Sequence, residues 1–417
     1  MSSQSSDKLD AETFGPLLSI PEISLVILAR TIRADILGIT SSSGRLIHRV
    51  SGSYNLVHII QLDDGFKLII RIPATGWGFG LTATAAQAME SQVTTLRLIA
   101  SKTTIPVPQV YAFDTTSNNT INAPYICMSF LPGQTLATAW FDTTLPTPLE
   151  ERRLRTLTAL SECLPQLAQF TFLQIGSLHK DNNSSDLAIG PCYDWKENED
   201  GSYRVIASGP YDTVAAYLHD HVVASDNTNS PWKLAKTKVT KAALRYLPSL
   251  KSSSQGFVLS VPDFDSQNIL VDEEGNLTGI IDWDLVQTIP RCVGYARYPG
   301  WITRDWDPLM HGWPKICLEN SPDELHRYRM HYNQSMGEAM QRSEDWEFTR
   351  NSHIWEAIWI AALNEMNRLE ICLKLVQEAT GADAASARGL MYDIGTGDAD
   401  WQKLETQLEV FLTSAQS

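Results

Sequence analysis

Apolar positions three and four residues apart between Glu22 and Ile36 predict a helix. From Leu46 the period drops to two. Leu46–Val50, Leu56–Leu62 and Lys67–Ile72 read as strands, and the Asp63-Asp64-Gly65 turn makes a hairpin of the last two. A helix follows near Ala86–Ala100, then a Pro106–Pro108 turn and strands at Gln109–Phe113 and Tyr125–Phe130. Pro132-Gly133 closes this lobe, an α+β unit on an antiparallel sheet. Beyond it the pattern is helical, most clearly from Ile354, where Ile358, Ala362, Met366, Leu369, Leu373 and Val376 recur at helical spacing up to the end of the segment. The exception is Phe257–Asp284, which reads strand, turn, strand, turn, strand.

These elements divide the chain into a polar, Ser-rich head over residues 1–20, expected to be disordered, a lobe over 21–132 and a helical lobe over 133–417. A length of 417 residues agrees with more than one core. The composition, 43% apolar and 19% charged, is that of a soluble globular chain. A net charge of −15 argues against a nucleic-acid partner, which needs clustered Lys and Arg. Six scattered cysteines without paired spacing suit reduced thiols in a cytoplasmic protein. The first twelve residues resemble neither a secretory nor a transit peptide. Charges within Ile354–Val376 exclude a membrane span there. Asn118-Asn119-Thr120 and Asn182-Asn183-Ser184 match the glycosylation pattern and read as polar loops.

Candidate chemistry gathers in the exceptional stretch. Asp263, Asn268 and Asp282 each stand where a strand meets a turn, so their oxygens can converge outside the sheet. Magnesium takes hard oxygen ligands, few of them from protein, with phosphate and water supplying the rest. The Asp can accept a hydroxyl proton, while the Asn and the second Asp hold the metal. Singly, Asx residues in loops more often satisfy their own backbone. Gly52-Ser53-Tyr54-Asn55 lies between the first two strands as a candidate phosphate cradle with one glycine. Gly76-Trp77-Gly78-Phe79-Gly80 opens no βαβ unit and reads as a flexible connector. His219-Asp220-His221 falls in a helical stretch, where positions i and i+2 point apart, and reads as a solvated face.

Taken in order, Gly52–Asn55, Arg71-Ile72-Pro73, Ile105–Pro108, Leu131–Gly133, Gln174–Leu178, Asp263 with Asn268–Asp272, and Ile280–Asp284 resemble the aminoglycoside phosphotransferase and choline kinase-like family in its fungal form. The likeness runs from about residue 45 to about residue 380. The resemblance implies a two-lobed protein-kinase-like α+β fold, with a catalytic loop and metal-binding strand over 261–284. It implies ATP or another nucleoside triphosphate with magnesium, and transfer to a hydroxyl of a small-molecule acceptor. Asp263 would be the catalytic base, and Asn268 and Asp282 the metal ligands. Gly52, Ser53, Asn55, Arg71, Gln92, Met128 and Phe130 would border the nucleotide.

Three positions depart from the family pattern. Gln92 stands where a helix Glu would pair with the strand cation Arg71, leaving a hydrogen bond from Gln92 or a substitute in Glu90. Val261 replaces a His that would brace the loop, and Asp265 adds a carboxylate beside the base. A second class of function therefore stands beside the first: a member that has lost phosphoryl transfer and binds or converts a small metabolite in a fungal biosynthetic pathway. Acceptor determinants are expected in the helical lobe, in the loops Cys192–Tyr203 and Tyr298–Asp307.

Overall fold

The computed structural model describes residues 10–180, 186–222, 230–248 and 256–416. The sequon at Asn182–Ser184 lies outside the described residues. By contacts the chain forms two compact units. The first comprises Met1–Gln134, Gly176–Pro210 and Thr278–Gln287, and the second the segments between and after them. A linear division at residue 132 is thus replaced by a first unit built from three pieces of sequence.

In the first unit, α1 (Glu22–Leu37) precedes a five-stranded sheet of β1 (Gly44–Ser51), β2 (Asn55–Leu62), β3 (Lys67–Pro73), β4 (Val110–Asp114) and β5 (Tyr125–Ser129), ordered β1-β2-β3-β5-β4. All its pairings are antiparallel. One face is apolar: Leu56, Ile60, Leu68, Ile70 and Ile72 are fully buried, with Leu25, Ala29 and Ile32 of α1 in the same core. The α1 helix ends at Gly38, whose φ of +66° closes it in the left-handed conformation. Between β3 and β4 runs α2 (Ala83–Lys102), capped by the Thr82 hydroxyl, which accepts from the Ala85 amide at 3.1 Å.

The expected disorder of the head does not extend to its described part. Residues 10–14 are helical, Gly15–Ser19 forms a 3-10 turn, and Phe14 and Leu17 are buried in the α1–sheet core. Two large apolar side chains supply enough burial to order the segment. The Gly76–Gly80 connector is packed in part. The Trp77 indole donates to the Thr13 carbonyl at 3.0 Å, while Phe79 is exposed.

The first unit also takes two hairpins from the region read as helical, β6 (Ser177–Lys180) with β7 (Leu187–Gly190) and β8 (Cys192–Glu197) with β9 (Tyr203–Ser208). Their signal was the alternation of Tyr193 and Trp195, then Tyr203 and Val205, about an Asp200-Gly201 turn.

The second unit holds the helices Leu149–Cys163, Pro231–Leu244, Pro322–Ala339, Ser352–Leu363, Glu365–Thr380, Ala384–Thr396 and Trp401–Ser414. A short sheet of Thr171–Phe172, Phe257–Leu259 and Thr288–Ile289 leads into residues 261–268. The single helix expected from Ile354 is two. Asn364 takes extended backbone, ending the first, and its side chain accepts from the Met366 amide at 2.9 Å to cap the second. Met366 consequently faces solvent, 78% exposed, although it fits the apolar period. Among the described residues no single helix is long and apolar enough to cross a membrane. None of the six cysteines forms a disulfide.

Candidate functional site

In the second unit, strand Phe257–Leu259 delivers the chain to Asp263, which adopts φ +36°, a sparsely populated region for a residue with a side chain. That turn exposes the carboxylate. Its Oδ2 accepts from Gln267 Nε2 at 2.7 Å and from Asn268 Nδ2 at 3.0 Å, and Asn268 Nδ2 also bonds the Asp263 carbonyl at 2.9 Å. Asn268 is buried, and its amide nitrogen is committed to Asp263, so Oδ1 is the group it can turn to a cation.

The two unusual residues of this loop have partners in the chain. Asp265 caps the turn that begins at Ser266, its Oδ1 accepting from the Ser266 amide at 2.6 Å, and its Oδ2 pairs with Arg304 at 2.5 Å. The extra carboxylate is therefore countered internally. Val261 is buried, and its carbonyl accepts from Arg297 Nη2 at 3.0 Å. Arg297 also bonds Ser260, pairs with Glu356 at 2.9 Å and lies 5.5 Å from the Phe264 ring centre. A buried arginine thus braces the loop where the family pattern places a histidine. Burial pushes the Glu356 carboxyl up, and Arg297 pulls it back.

In the first unit, Asp282 and Asp284 follow a strand pinned by the Ile280 amide, which donates to the Pro106 carbonyl at 2.8 Å. Asp282 has φ +60°, Leu285 +51°. Arg71, near the middle of β3, forks to Asp284, Nη1 to Oδ1 at 2.5 Å and Nη2 to Oδ2 at 3.0 Å, and its Nη2 also reaches Asp282 Oδ1 at 2.7 Å. Asn55 Nδ2 donates to Asp284 Oδ2 and Gln92 Nε2 to Asp284 Oδ1, each at 2.6 Å. The expected bond from Gln92 to Arg71 is replaced by this one, because Gln, a donor here, is drawn to the carboxylate. Glu90 is exposed, so it is no substitute partner. Burial pushes the Asp284 carboxyl up, with Arg71 opposing it and Asp282 adding to it. Asp282 keeps a 40% exposed side chain and meets Arg71 through Oδ1.

The remaining sequence-selected residues are placed unequally. Gly52 and Ser53 are exposed in the β1–β2 turn, closed by the Gly52 amide donating to the Asn55 carbonyl at 2.9 Å. Met128 is buried in β5 opposite Ile69 and Val110. Phe130 lies just past the strand end, with the Lys67 ammonium 5.0 Å from its ring centre. The Cys192–Tyr203 stretch, expected among helices, is the β8–β9 hairpin of the first unit. Its Trp195 stacks on Tyr54 at 4.6 Å between ring centres, and Tyr203 meets Tyr54 edge-on at 5.0 Å. His219 is exposed and His221 stacks on Tyr217, so the histidine pair forms no ligand set.

A cavity of about 30 Å³ beside Arg71, lined in part by Ala85, Met89, Trp195 and Leu285, has room for water. Among the described residues no three His, Cys, Asp or Glu side chains group as metal ligands. Asp284 was the residue sequence reasoning passed over. It closed the Ile280–Asp284 run, but its partners lie in β2, β3 and α2, far away along the chain.

An antiparallel sheet with α2 behind it, a braced Asp–Asn loop and a strand-borne cation paired to an Asp-x-Asp run define a kinase-like α+β fold. The model of the phosphotransferase enzyme family matches residues 47–313, and the chain belongs to that family. Its curated relatives include "Altered inheritance of mitochondria protein 9, mitochondrial" of Clavispora lusitaniae, 22% identical over 79% of this chain and 61% of that protein. Another is "Clavilactone A biosynthesis cluster protein Y" of Ampulloclitocybe clavipes, 26% identical over 64% of this chain and 66% of that protein. The chain spans about three fifths of the length of the first of these relatives. Among solved structures, a putative aminoglycoside phosphotransferase from Ralstonia eutropha jmp134 aligns with 93% of this chain and 97% of its own at 14% identity and a TM-score of 0.49.

Proposed function

We propose that the protein transfers a phosphoryl group from a nucleoside triphosphate, ATP in the simplest case, to a hydroxyl of a small-molecule metabolite. The observation that carries this reading is the Asp263–Asn268 pair, with the amide nitrogen fixed on the carboxylate and its oxygen left for a cation. Asp263 accepts the proton of the attacking hydroxyl. Its strained, exposed position is held by Gln267 and Asn268, so the carboxylate is aimed before substrate arrives. Asn268 Oδ1 in the second unit and, separately, Asp282 in the first are candidate magnesium ligands; the ion when bound neutralises phosphate charge. Arg71, fixed by Asp282 and Asp284, supplies positive charge at the phosphate side.

Asp263→Asn should lower turnover about 10²- to 10⁴-fold, the span of a positioned general base, with affinity for magnesium-ATP almost unchanged. The assay is ADP release against a panel of hydroxylated metabolites, beside calorimetric titration of the nucleotide. Equal turnover in both proteins would remove Asp263 from the chemistry.

A second reading, a binding protein without phosphoryl transfer, draws support from Arg71, whose positive charge is matched by two carboxylates of the chain itself. Magnesium-ATP that binds nowhere on the wild type would favour it.

A further inference from the structure

In kinase-type sites the strand cation is steadied by a carboxylate on the neighbouring helix. Here α2 offers Gln92, and the carboxylate comes from Asp284, two residues past Asp282. The two oxygens of Asp284 receive four hydrogen bonds: Oδ1 from Arg71 and Gln92, Oδ2 from Arg71 and Asn55. A carboxylate has about four lone-pair sites, so Asp284 has none to spare for a metal while this set is intact. Its side chain is 15% exposed, against 40% for Asp282, so the two acids are differentiated by burial as well as by bonding.

We propose that Asp284 is the positioning residue of the site. It replaces the helix carboxylate, holds Arg71, and ties β3 to α2 and to the Gly52–Asn55 turn; as a functional role this rests on the phosphoryl-transfer reading above. The arrangement accounts for arginine at position 71. A planar guanidinium can fork onto Asp284 and still extend Nη2 to Asp282, a geometry a lysine ammonium does not reproduce. It also accounts for glutamine at 92. Arg71 Nη1 and Gln92 Nε2 bond the same oxygen, at 2.5 and 2.6 Å, so a Glu at 92 would crowd a second carboxylate against Asp284. The Asn55 bond carries the same constraint into the turn, because Asn55 both begins β2 and closes the turn through its carbonyl.

The closeness of Gln92 to Arg71 supplies the test. Asp284→Asn keeps shape and removes the charge, turning an amide NH₂ toward groups that are themselves donors. Affinity for magnesium with AMP-PNP, measured by calorimetry, should fall about tenfold to a hundredfold, the range for losing a hydrogen-bonded charged partner. Gln92→Glu alone should lower the unfolding midpoint, since two carboxylates then share one site. Gln92→Glu joined to Asp284→Asn should recover both midpoint and nucleotide affinity to within about threefold of wild type, because the relocated carboxylate again meets Arg71 and accepts from the new amide. A purely structural role for Asp284 would not return nucleotide affinity through a charge moved to another element. Double variants no better than Asp284→Asn in either measurement would overturn the proposal. Recovery of the midpoint in a protein whose wild type binds no magnesium–AMP-PNP would sustain Asp284 as the anchor of Arg71 and strike down the phosphoryl-transfer reading instead.

Discussion

His58 lies on the buried face of β2, and burial, then the nearby Arg49, hold its pKa down to about 4 from 6.5. The unfolded chain therefore takes up the proton first. The stability that neutral His58 confers is complete above pH 6.5, declines as pH falls through that value and is fully lost near pH 4. At 1.36 kcal/mol per unit the swing is about 3 kcal/mol. His58→Leu should flatten this part of the pH–stability curve, read as the difference in denaturant-unfolding free energy between wild type and variant from pH 7 to 4. A constant difference across that range would contradict the assignment. Residues of this kind also mark what was legible. Asp263 and Asn268 were found because they stand five apart where strands meet turns, in the order of the family's motif. Asp284 and Arg304 escaped because their meaning lies in partners: Asp284 meets an arginine 213 positions away, and Arg304 neutralises an aspartate 39 positions away.

At the scale of elements, the sheet and its two helices followed from period together with turn signals, most clearly at β2 and β3, whose burial alternates along the strand. The β8–β9 hairpin did not. Several of its outer positions are exposed and polar, so its alternation is carried by a few aromatics instead of a continuous apolar face. Those aromatics have work to do on the candidate phosphate cradle. Tyr54 of the Gly52–Asn55 turn lies flat on Trp195 and edge-on to Tyr203, while Tyr193 and Val205 pack with Ala88 of α2. Aromatic pairs contribute about 0.5–1.5 kcal/mol beyond burial, enough to change a local opening equilibrium several-fold. Trp195→Ala should therefore speed hydrogen exchange at the Gly52 amide, which bonds the Asn55 carbonyl at 2.9 Å. Amides in the centre of β2 and β3 should be unaffected. Unchanged exchange at Gly52 would mean the turn is held by its own backbone and by Asn55 alone.

At the scale of the whole molecule, the first unit is discontinuous in sequence, and that is the feature a left-to-right reading was least able to anticipate. Period and turn signals place a boundary near Pro132-Gly133, where the strands stop, and nothing local announces that Gly176–Pro210 and Thr278–Gln287 return to the same unit. Yet the returning segments complete it. Tyr193, Val205 and Leu285 cover Ala85 and Ala88 on α2, and Asp282 and Asp284 neutralise Arg71, whose side chain is only 12% exposed. A buried guanidinium stripped of its carboxylates costs about 3–5 kcal/mol, a large share of the 5–15 kcal/mol that stabilises an ordinary domain. A fragment ending at Gln134 should accordingly contain sheet, show a broad, weakly cooperative melt by circular dichroism, and bind a hydrophobic dye. The same residues joined through flexible linkers to 176–210 and 278–287 should recover a sharp transition. Asp284→Asn in that joined chain should take much of the gain away, because the third segment acts chiefly through the charge it brings to Arg71. A fragment ending at Gln134 that melts sharply and at the same midpoint as the joined chain would show that the returning segments decorate a unit already stable without them.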